Sequence, residues 1–413
     1  MTHDKASSIP INGNTASELE DAYMSTFWVR QRRQWSLYTG KPDVKMADTG
    51  FDIAQNILQH ITLQDRRSSV LRLAARRDAV DLEPTVKALR DRLDADDTYG
   101  AGLDLHEKAV RMMPDVFQLM RLREAAAVHL GAASFPALVL ASEELDARWL
   151  SHFLDDFLEK NLPAARGLAT SLGLNPVNWF RKLDSLAGPP PTTDPVELWG
   201  RLVDLLHPGD LPAEPSFFIE DRGLAGYTGV LRVPDDIRIL ARPAKSLHQW
   251  LTLAHEMGHA LRHLSCKQSG VLATWTTVDD ETSAIIVEHL ASTALLPDRL
   301  AGAARDIQLL EAVRCAISAR FELDLWKDPN DAQRLYAKWY GQLVKESFDP
   351  ALWALDSFRS IDPMSVFSYV IGYEAGNQTA LLDVKEPQLV RLLFAPGRSE
   401  PLLHKLELLL RRD

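Results

Sequence analysis

Two histidines stand four residues apart in residues 253–261, and this spacing constrains the fold more than any other feature of the chain. At 3.6 residues per turn, His255 and His259 share one face of an α-helix, where both can bind one metal ion. Glu256 stands between them and can accept a proton from water beside that ion. The H-E-x-x-H pattern is typical of zinc hydrolases, although it also arises by chance on amphipathic helices. The surrounding sequence therefore has to support a metal site.

The composition argues against several classes of protein. The chain has 413 residues, 46% of them hydrophobic, which suffices for two or three globular units. A formal charge of −11 without a long basic segment argues against nucleic acid or an anionic surface as the partner. Cys266 and Cys315 cannot form a disulfide framework and favour a reducing compartment. Because the first residues are polar and no apolar run could span a bilayer, we expect a cytoplasmic protein without a membrane anchor.

The hydrophobic pattern divides the chain into four segments. Residues 1–16 are a polar leader that we expect to be disordered. Residues 17–187 carry apolar positions at helical spacing and predict a helical domain. The proline-rich residues 188–196 predict a linker, and residues 197–413 then form the domain with the metal site. The expected fold class is mainly α.

A short β-rich region precedes the metal helix. Residues 217–219, 230–233 and 237–240 are rich in β-forming side chains, with glycines and a proline between them. They predict a small β-sheet directly before the helix that carries the two histidines. The pattern then becomes helical again to residue 410, with breaks near five prolines: Pro297, Pro329, Pro350, Pro363 and Pro396.

A zinc ion held by two histidines needs a third protein ligand. Four carboxylates follow the motif closely: Asp279, Asp280, Glu281 and Glu288. Glu281 and Glu288 are two helical turns apart, so both point the same way from one helix. One can bind the metal while the other orients a ligand histidine. Spacing alone leaves the assignment open, because each can also be a solvated or ion-paired group.

The arrangement resembles the thimet oligopeptidase and oligoendopeptidase F group of zinc metallopeptidases and the related Taq-type metallocarboxypeptidases. In these enzymes an HExxHA helix is followed by a glutamate ligand, then by small residues and a second glutamate. This chain has Glu281 22 residues after His259, small residues at 283–284, and Glu288. The resemblance implies a helical gluzincin-type fold, one zinc ion per chain on His255, His259 and Glu281, and a supporting role for Glu288.

A third element of the resemblance lies near the C-terminus. Residues 367–377 match the F-x-Y-x-x-x-Y-x-x-G-N pattern of the Taq-type enzymes. Tyrosines in this region of the oligopeptidases hydrogen-bond the substrate carbonyl, which implies that role for Tyr369 or Tyr373. As aromatic residues one turn apart, the two also fit ordinary core packing. No histidine lies between His289 and His404, so a histidine that precedes these tyrosines in the oligopeptidases is absent.

The resemblance also assigns a role to the segment before the metal helix. In gluzincin peptidases an edge strand beside the metal binds the substrate backbone as an additional strand. Residues 226–233 are the candidate, with Gly226, Tyr227 and Gly229 as predicted substrate-binding residues. Because the chain is shorter than typical members, we expect part of the helical lobe that forms their substrate channel to be missing.

The leading hypothesis is a zinc metallopeptidase that cleaves short peptides or a peptide tail, with Glu256 as the general base. Two alternatives use the same residues. Two histidines and one carboxylate also suit Fe(II) and oxygen chemistry on a peptide. A regulatory protein could keep the fold without catalysis, although a site that only binds metal has no need of Glu256. The sequence leaves open the substrate, the choice between endopeptidase and carboxypeptidase, and the oligomeric state.

Overall fold

The fold is described from a computed structural model over residues 15–39, 49–94, 104–208, 211–221, 225–380, 398–399 and 401–410. Residues 1–14 of the predicted leader and Pro396 lie outside the described residues. Within the described ranges the chain is mainly helical with one small β-sheet, as the sequence predicts.

The N-terminal half consists of helices, in agreement with its apolar periodicity. Several begin at a side chain that accepts a first-turn N–H, such as Asp104 and Asp146. The helices are α1 (Ala16–Thr39), α2 (Gly50–His60), α3 (Arg66–Asp81), α4 (Pro84–Asp94), α5 (Leu105–His129), α6 (Phe135–Ser142), α7 (Ala147–Leu172), α8 (Trp179–Asp184) and α9 (Pro195–Leu206).

The β-rich region forms the predicted sheet. Its three strands are β1 (Ser216–Ile219), β2 (Gly226–Arg232) and β3 (Asp236–Ala241). They lie in the order β1-β3-β2, with β1 parallel and β2 antiparallel to β3. Among the described strands β2 therefore pairs on one side only and forms an edge of the sheet.

The remainder of the described chain is helical, with the predicted interruptions at prolines. Pro297 caps a helix, and Pro329 and Pro350 each begin a short 3-10 helix. The helices are α10 (Leu247–Leu264), α11 (Thr277–Ala294), α12 (Asp298–Lys327), α13 (Ala332–Tyr340), α14 (Ser357–Ser360), α15 (Phe367–Ala380) and α16 (Leu402–Leu409); 3-10 helices lie at Gly270–Ala273, Pro329–Asp331 and Pro350–Leu355. No helix in the described part of the chain is long and apolar enough to cross a membrane.

Small residues bring three of these helices close together. A Cβ at Gly258 of α10 would lie 2.7 Å from Cα of Ala284 on α11. A Cβ at Gly372 of α15 would lie 3.3 Å from the carbonyl oxygen of Glu281, also on α11. The close approach agrees with the expectation that small residues after Glu281 let α11 pack against the metal helix. It places the functional side chains of α10, α11 and α15 within reach of one another.

A single buried apolar cluster includes residues from both predicted domains. Phe157 of α7 and Trp199 of α9 belong to it, together with Trp250 of α10 and Phe321 of α12. Residues 188–194 adopt no regular structure, and α9 begins at Pro195. The division of the chain at 188–196 stays a prediction.

Candidate metal centre

Two capped helices present the predicted metal-binding side chains. Ser246 accepts the N–H of Gln249 at the start of α10, which carries His255 and His259 on one face. Thr276 likewise caps α11, where Glu281 occupies the second turn. Backbone geometry at both helix starts is therefore fixed a few residues before the functional positions.

Three ligand atoms converge between these helices. Nε2 of His255 lies 3.1 Å from Nε2 of His259 and 3.1 Å from Oε2 of Glu281. The third separation, from Nε2 of His259 to Oε2 of Glu281, is 3.8 Å. Ligand atoms about 2.0–2.1 Å from a tetrahedral zinc ion lie roughly 3.3 Å apart, so the three separations suit such an ion.

The hydrogen bonding of Glu281 provides a second test of the fit. Its Oε2 is buried and has no well-aligned hydrogen bond among the described residues. Its Oε1 accepts the hydroxyl of Tyr369 at 3.2 Å. A buried carboxylate oxygen without a donor is costly, and a cation at the centre of the cluster would remove that cost. The residues therefore fit a divalent metal ion.

Each histidine has a carboxylate at its other ring nitrogen. Nδ1 of His255 lies 3.5 Å from Oε2 of Glu288, which also accepts a hydrogen bond of 2.9 Å from Gln308 through Oε1. Nδ1 of His259 lies 3.2 Å from Oδ2 of Asp280. Carboxylates in this position fix the tautomer and orientation of a metal-binding imidazole.

Glu256 lies beside the ligand cluster and is anchored by the sheet. The hydroxyl of Thr228 on β2 lies 2.7 Å from Oε2 of Glu256 and 2.9 Å from the carbonyl oxygen of the same residue. A Cβ at Gly226 would lie 2.6 Å from Oε1 of Glu256, so only glycine fits at this point of the strand. Burial raises the pKa of Glu256, while His259, His255 and Thr228 act in the opposite direction.

The other predicted residues of β2 face away from Glu256. Tyr227 packs edge-on against Tyr38 of α1, with ring centroids 4.6 Å apart. Gly229 lies against the ring of Trp35, also on α1, where a side chain would clash. Side chains alternate along a strand, so Gly226 and Thr228 face the metal helix while Tyr227 and Gly229 face α1.

The two predicted tyrosines have different surroundings. Tyr369 donates its hydroxyl to Glu281, and its ring stacks on His255 at 6.3 Å between centroids. Tyr373 packs edge-on against His289, at 5.2 Å, and against Phe157, at 5.7 Å. The structure therefore brings Tyr369 into the cluster and places Tyr373 one turn further along α15.

Neighbouring carboxylates change the pKa values of the two histidines. Burial disfavours the imidazolium of His255, but Glu281 and Glu288 outweigh burial and hold the pKa of His255 well above its usual range. Burial also disfavours the imidazolium of His259, but Asp280 outweighs burial, so the pKa of His259 is raised as well. Without a metal ion the imidazoles therefore favour protons, which a metal would displace on binding.

One residue of the site, Thr228, and the role of a second, Asp280, were missed from the sequence. Thr228 lies within the predicted strand, but only its contact with Glu256 indicates a role. Asp280 stood among the candidate ligands, whereas the structure places it behind His259. The sequence did contain a signal for this role of Asp280. Because Asp280 directly precedes Glu281 on one helix, its side chain points to a different face of the helix and can reach His259.

Solved structures with a similar fold include both branches of the resemblance. A protein assigned as an oligoendopeptidase F matches 88% of this chain and 80% of its own, with a TM-score of 0.64 and 13% identity. Metallocarboxypeptidase 1 of Trypanosoma cruzi matches 96% of both chains, with a TM-score of 0.61 and 13% identity. An M32 carboxypeptidase of Deinococcus radiodurans R1 matches 96% of this chain and 95% of its own, with a TM-score of 0.62 and 12% identity.

These comparisons confirm the gluzincin-like metallopeptidase fold that the sequence motifs implied. The carboxypeptidase structures are matched over nearly their whole length, so the chain is not shortened relative to them. No family model matches the sequence, and no curated protein matches it either. At such low identity the likeness establishes the fold, and the activity has to be argued from the site.

Proposed function

We propose that the chain is a zinc-dependent metallopeptidase that hydrolyses peptide bonds in short peptides or in a peptide tail. The observation that carries this proposal is the convergence of His255, His259 and Glu281, whose ligand atoms all lie within 4.8 Å of one another, beside the carboxylate of Glu256. A site that only bound metal would have no need of a carboxylate at position 256. The metallopeptidase fold of the similar structures supports the same function.

The metal would be one zinc ion per chain, held by His255, His259 and Glu281. Two imidazoles and a carboxylate are a ligand set of catalytic zinc, and they leave the fourth position open. When bound, the ion would supply Lewis acidity that activates water and polarises the substrate carbonyl. Glu288 would keep the imidazole of His255 oriented toward that ion.

Glu256 moves the proton. It accepts a proton from the water that attacks the peptide carbonyl and delivers this proton to the departing amine. Thr228 holds Oε2 of the carboxylate, which leaves Oε1 for the transfer. Oε1 lies beside Gly226, where any side chain would clash with it.

The free edge of β2 is the proposed site for the substrate backbone. Arg242 donates its N–H to the carbonyl of Ala225 at 3.3 Å, so the peptide groups of alternate residues from Ala225 onward point toward β3. The peptide groups of Gly226 and Thr228 then point to the unpaired edge. An extended peptide that pairs there would lie beside Glu256, with affinity from main-chain hydrogen bonds.

Tyr369 is the better supported donor to the developing oxyanion. Its hydroxyl already lies within the cluster, 3.2 Å from Oε1 of Glu281. Hydrogen-bond donors preset at the position where charge develops lower the barrier for acyl transfer. Tyr373 remains a prediction, because its ring contacts are with His289 and Phe157.

The general-base role is tested with Glu256→Gln. The amide has the same shape but cannot accept the proton, so turnover of quenched fluorescent peptides should fall at least ~10²-fold. Zinc content and melting temperature should stay close to those of the wild type. Glu374→Gln is the matched control, since Glu374 pairs with Lys160 at 3.2 Å on the same chain and should keep full activity.

Wild-type turnover by Glu256→Gln on a peptide that the enzyme cleaves would contradict the mechanism. An inactive variant that has also lost its zinc would leave the general-base role unsupported, because loss of the metal alone would explain it. Glu256→Asp then separates the two causes, since it keeps the charge and shortens the reach of the carboxylate.

A further inference from the structure

A chain of buried charges lies behind His259 and is not used by the proposed mechanism. It begins at Asp280, whose Oδ2 lies 3.2 Å from Nδ1 of His259. Its Oδ1 lies 2.9 Å from Nε2 of His263 and 3.3 Å from Nη1 of Arg262. A single carboxylate therefore contacts a predicted metal ligand, a second imidazole and a guanidinium.

The chain of charges continues to the C-terminal helix. Arg262 also forms an ion pair with Asp279. Nζ of Lys405 on α16 lies 3.0 Å from each carboxylate oxygen of Asp279. Lys405 is only 3% exposed, and lysine is almost never buried without a partner. Asp279 is thus one partner that compensates the buried charge of Lys405.

The acidic and basic side chains of this buried series carry equal numbers of opposite charges. Asp279 and Asp280 contribute two negative charges, and Arg262 and Lys405 contribute two positive ones. Buried charges are tolerated when they are paired in this way. The paired charges hold Asp280 with Oδ2 facing Nδ1 of His259 and with Oδ1 facing Nε2 of His263.

The ring of His263 is itself held in place from the N-terminal half. It packs against Trp275, with centroids 4.2 Å apart. Trp275 in turn packs edge-on against Phe27 of α1, at 5.3 Å. One residue that contacts Asp280 is thus itself held by α1 and by the segment before α11, which suits a residue that positions a ligand.

We propose that Asp280 is a positioning residue for the metal ligand His259, and that Lys405 of α16 acts on the same ligand through Asp279 and Arg262. The inference rests on the zinc site of the proposed function but not on peptide hydrolysis. A carboxylate at Nδ1 keeps Nε2 free for the ion and makes the imidazole a stronger ligand. Loss of Lys405 would leave Asp279, Arg262 and Asp280 less firmly positioned, and Asp280 contacts this ligand.

The test measures metal binding by the full chain after its metal has been removed. Zinc affinity comes from competition with a chromophoric chelator, and ligand geometry comes from the absorption spectrum of Co²⁺ bound at the site. Asp280→Asn should weaken zinc binding by roughly 10–100-fold and change the cobalt spectrum. Lys405→Met should weaken zinc binding by roughly 2–30-fold. Lys405→Arg, which keeps the charge, should restore part of that loss.

Leu406→Ala is the matched control for Lys405. Leu406 lies beside it on α16 and is 2% exposed, but it carries no charge. Its truncation should lower the melting temperature and leave zinc affinity within about twofold of the wild type. If Lys405→Met does not fold, Asp279→Asn breaks the same link with almost no change of size and is measured in the same way.

Two results would overturn the proposal. Unchanged zinc affinity and an unchanged cobalt spectrum in Asp280→Asn would remove the positioning role. Equal losses of affinity in Leu406→Ala and Lys405→Met would mean that α16 acts by packing and not through its charge. A protein that shows the expected shifts but cleaves no peptide would contradict the proposed function and leave this inference intact.

Discussion

Two clusters of buried carboxylates in this protein differ in what lies opposite the negative charge. On α12, Glu322 accepts the N–H of Met364 at 2.8 Å and lies 3.7 Å from a nitrogen of Arg359. The guanidinium of Arg359 is permanently charged and also contacts Ser318. At the metal centre, Glu281 instead faces two imidazole nitrogens, which carry charge only when protonated.

The difference separates a structural ion pair from a ligand site. The Glu322 cluster already contains a permanent cation, Arg359. The cluster of His255, His259 and Glu281 has no permanent cation, because its positive charge depends on protons that an external cation would displace. Changes in the first cluster should therefore alter stability, and changes in the second should alter metal binding.

The largest expected effect concerns the third ligand. Glu281→Ala should abolish zinc binding at micromolar metal, because it removes one of three protein ligands. Glu288→Ala should only weaken zinc binding, by roughly 10–100-fold, because Glu288 acts through the ring of His255. A zinc titration of both variants decides the matter. If Glu288→Ala loses the metal and Glu281→Ala keeps it, the ligand assignment is reversed.

Tyr369→Phe should have the next largest effect. If the hydroxyl serves the oxyanion, kcat should fall by roughly 10²-fold or more with little change in KM or zinc affinity. If it only orients Glu281, zinc affinity should fall instead. Tyr373→Phe is compared on the same helix, and a kcat that falls only in this variant would assign the role to Tyr373 instead. An unaltered kcat in both variants would assign both tyrosines to packing.

The smallest expected effect is on stability, at Glu322. Burial raises its pKa in the folded chain to about 7, so between pH 4.5 and 7 the folded chain keeps a proton that the unfolded chain has released. Stability from this residue is thus complete below pH 4.5 and falls as pH rises toward 7.

Glu322→Gln should remove this part of the pH dependence, since the amide resembles the protonated acid. Urea unfolding of both proteins at pH 5 and pH 7, in the absence of metal, measures the difference. Zinc affinity should be the same in both. Two results would contradict the distinction between the clusters: an equal change in the free energy of unfolding from pH 5 to pH 7 in both proteins, or weaker zinc binding by the variant.

Much of the site follows from sequence because helix geometry converts spacing into position. A spacing of four residues places His255 and His259 on one face, and two turns between Glu281 and Glu288 align those side chains. The three short strands and the breaks at prolines are equally local features. Each of these depends on neighbours within a few residues and not on the packing of distant segments.

The features of the site that could not be predicted from the sequence depend on contacts between elements that are far apart in the chain. Nothing local distinguishes Tyr369 from Tyr373, because the choice depends on how α15 crosses α11. Lys405 lies more than a hundred residues from Asp279, and no pattern joins them. The contact of Thr228 with Glu256 requires the approach of a strand to a helix, which a glycine at 226 permits.

Metal analysis tests the central claim most directly. The full chain, expressed without added metal and purified without a metal-affinity step, would be analysed for zinc and iron beside His255→Ala and Glu281→Ala. The account predicts close to one zinc ion per wild-type chain and almost none in either variant. Stoichiometric iron in the wild type, or zinc that persists in both variants, would contradict it.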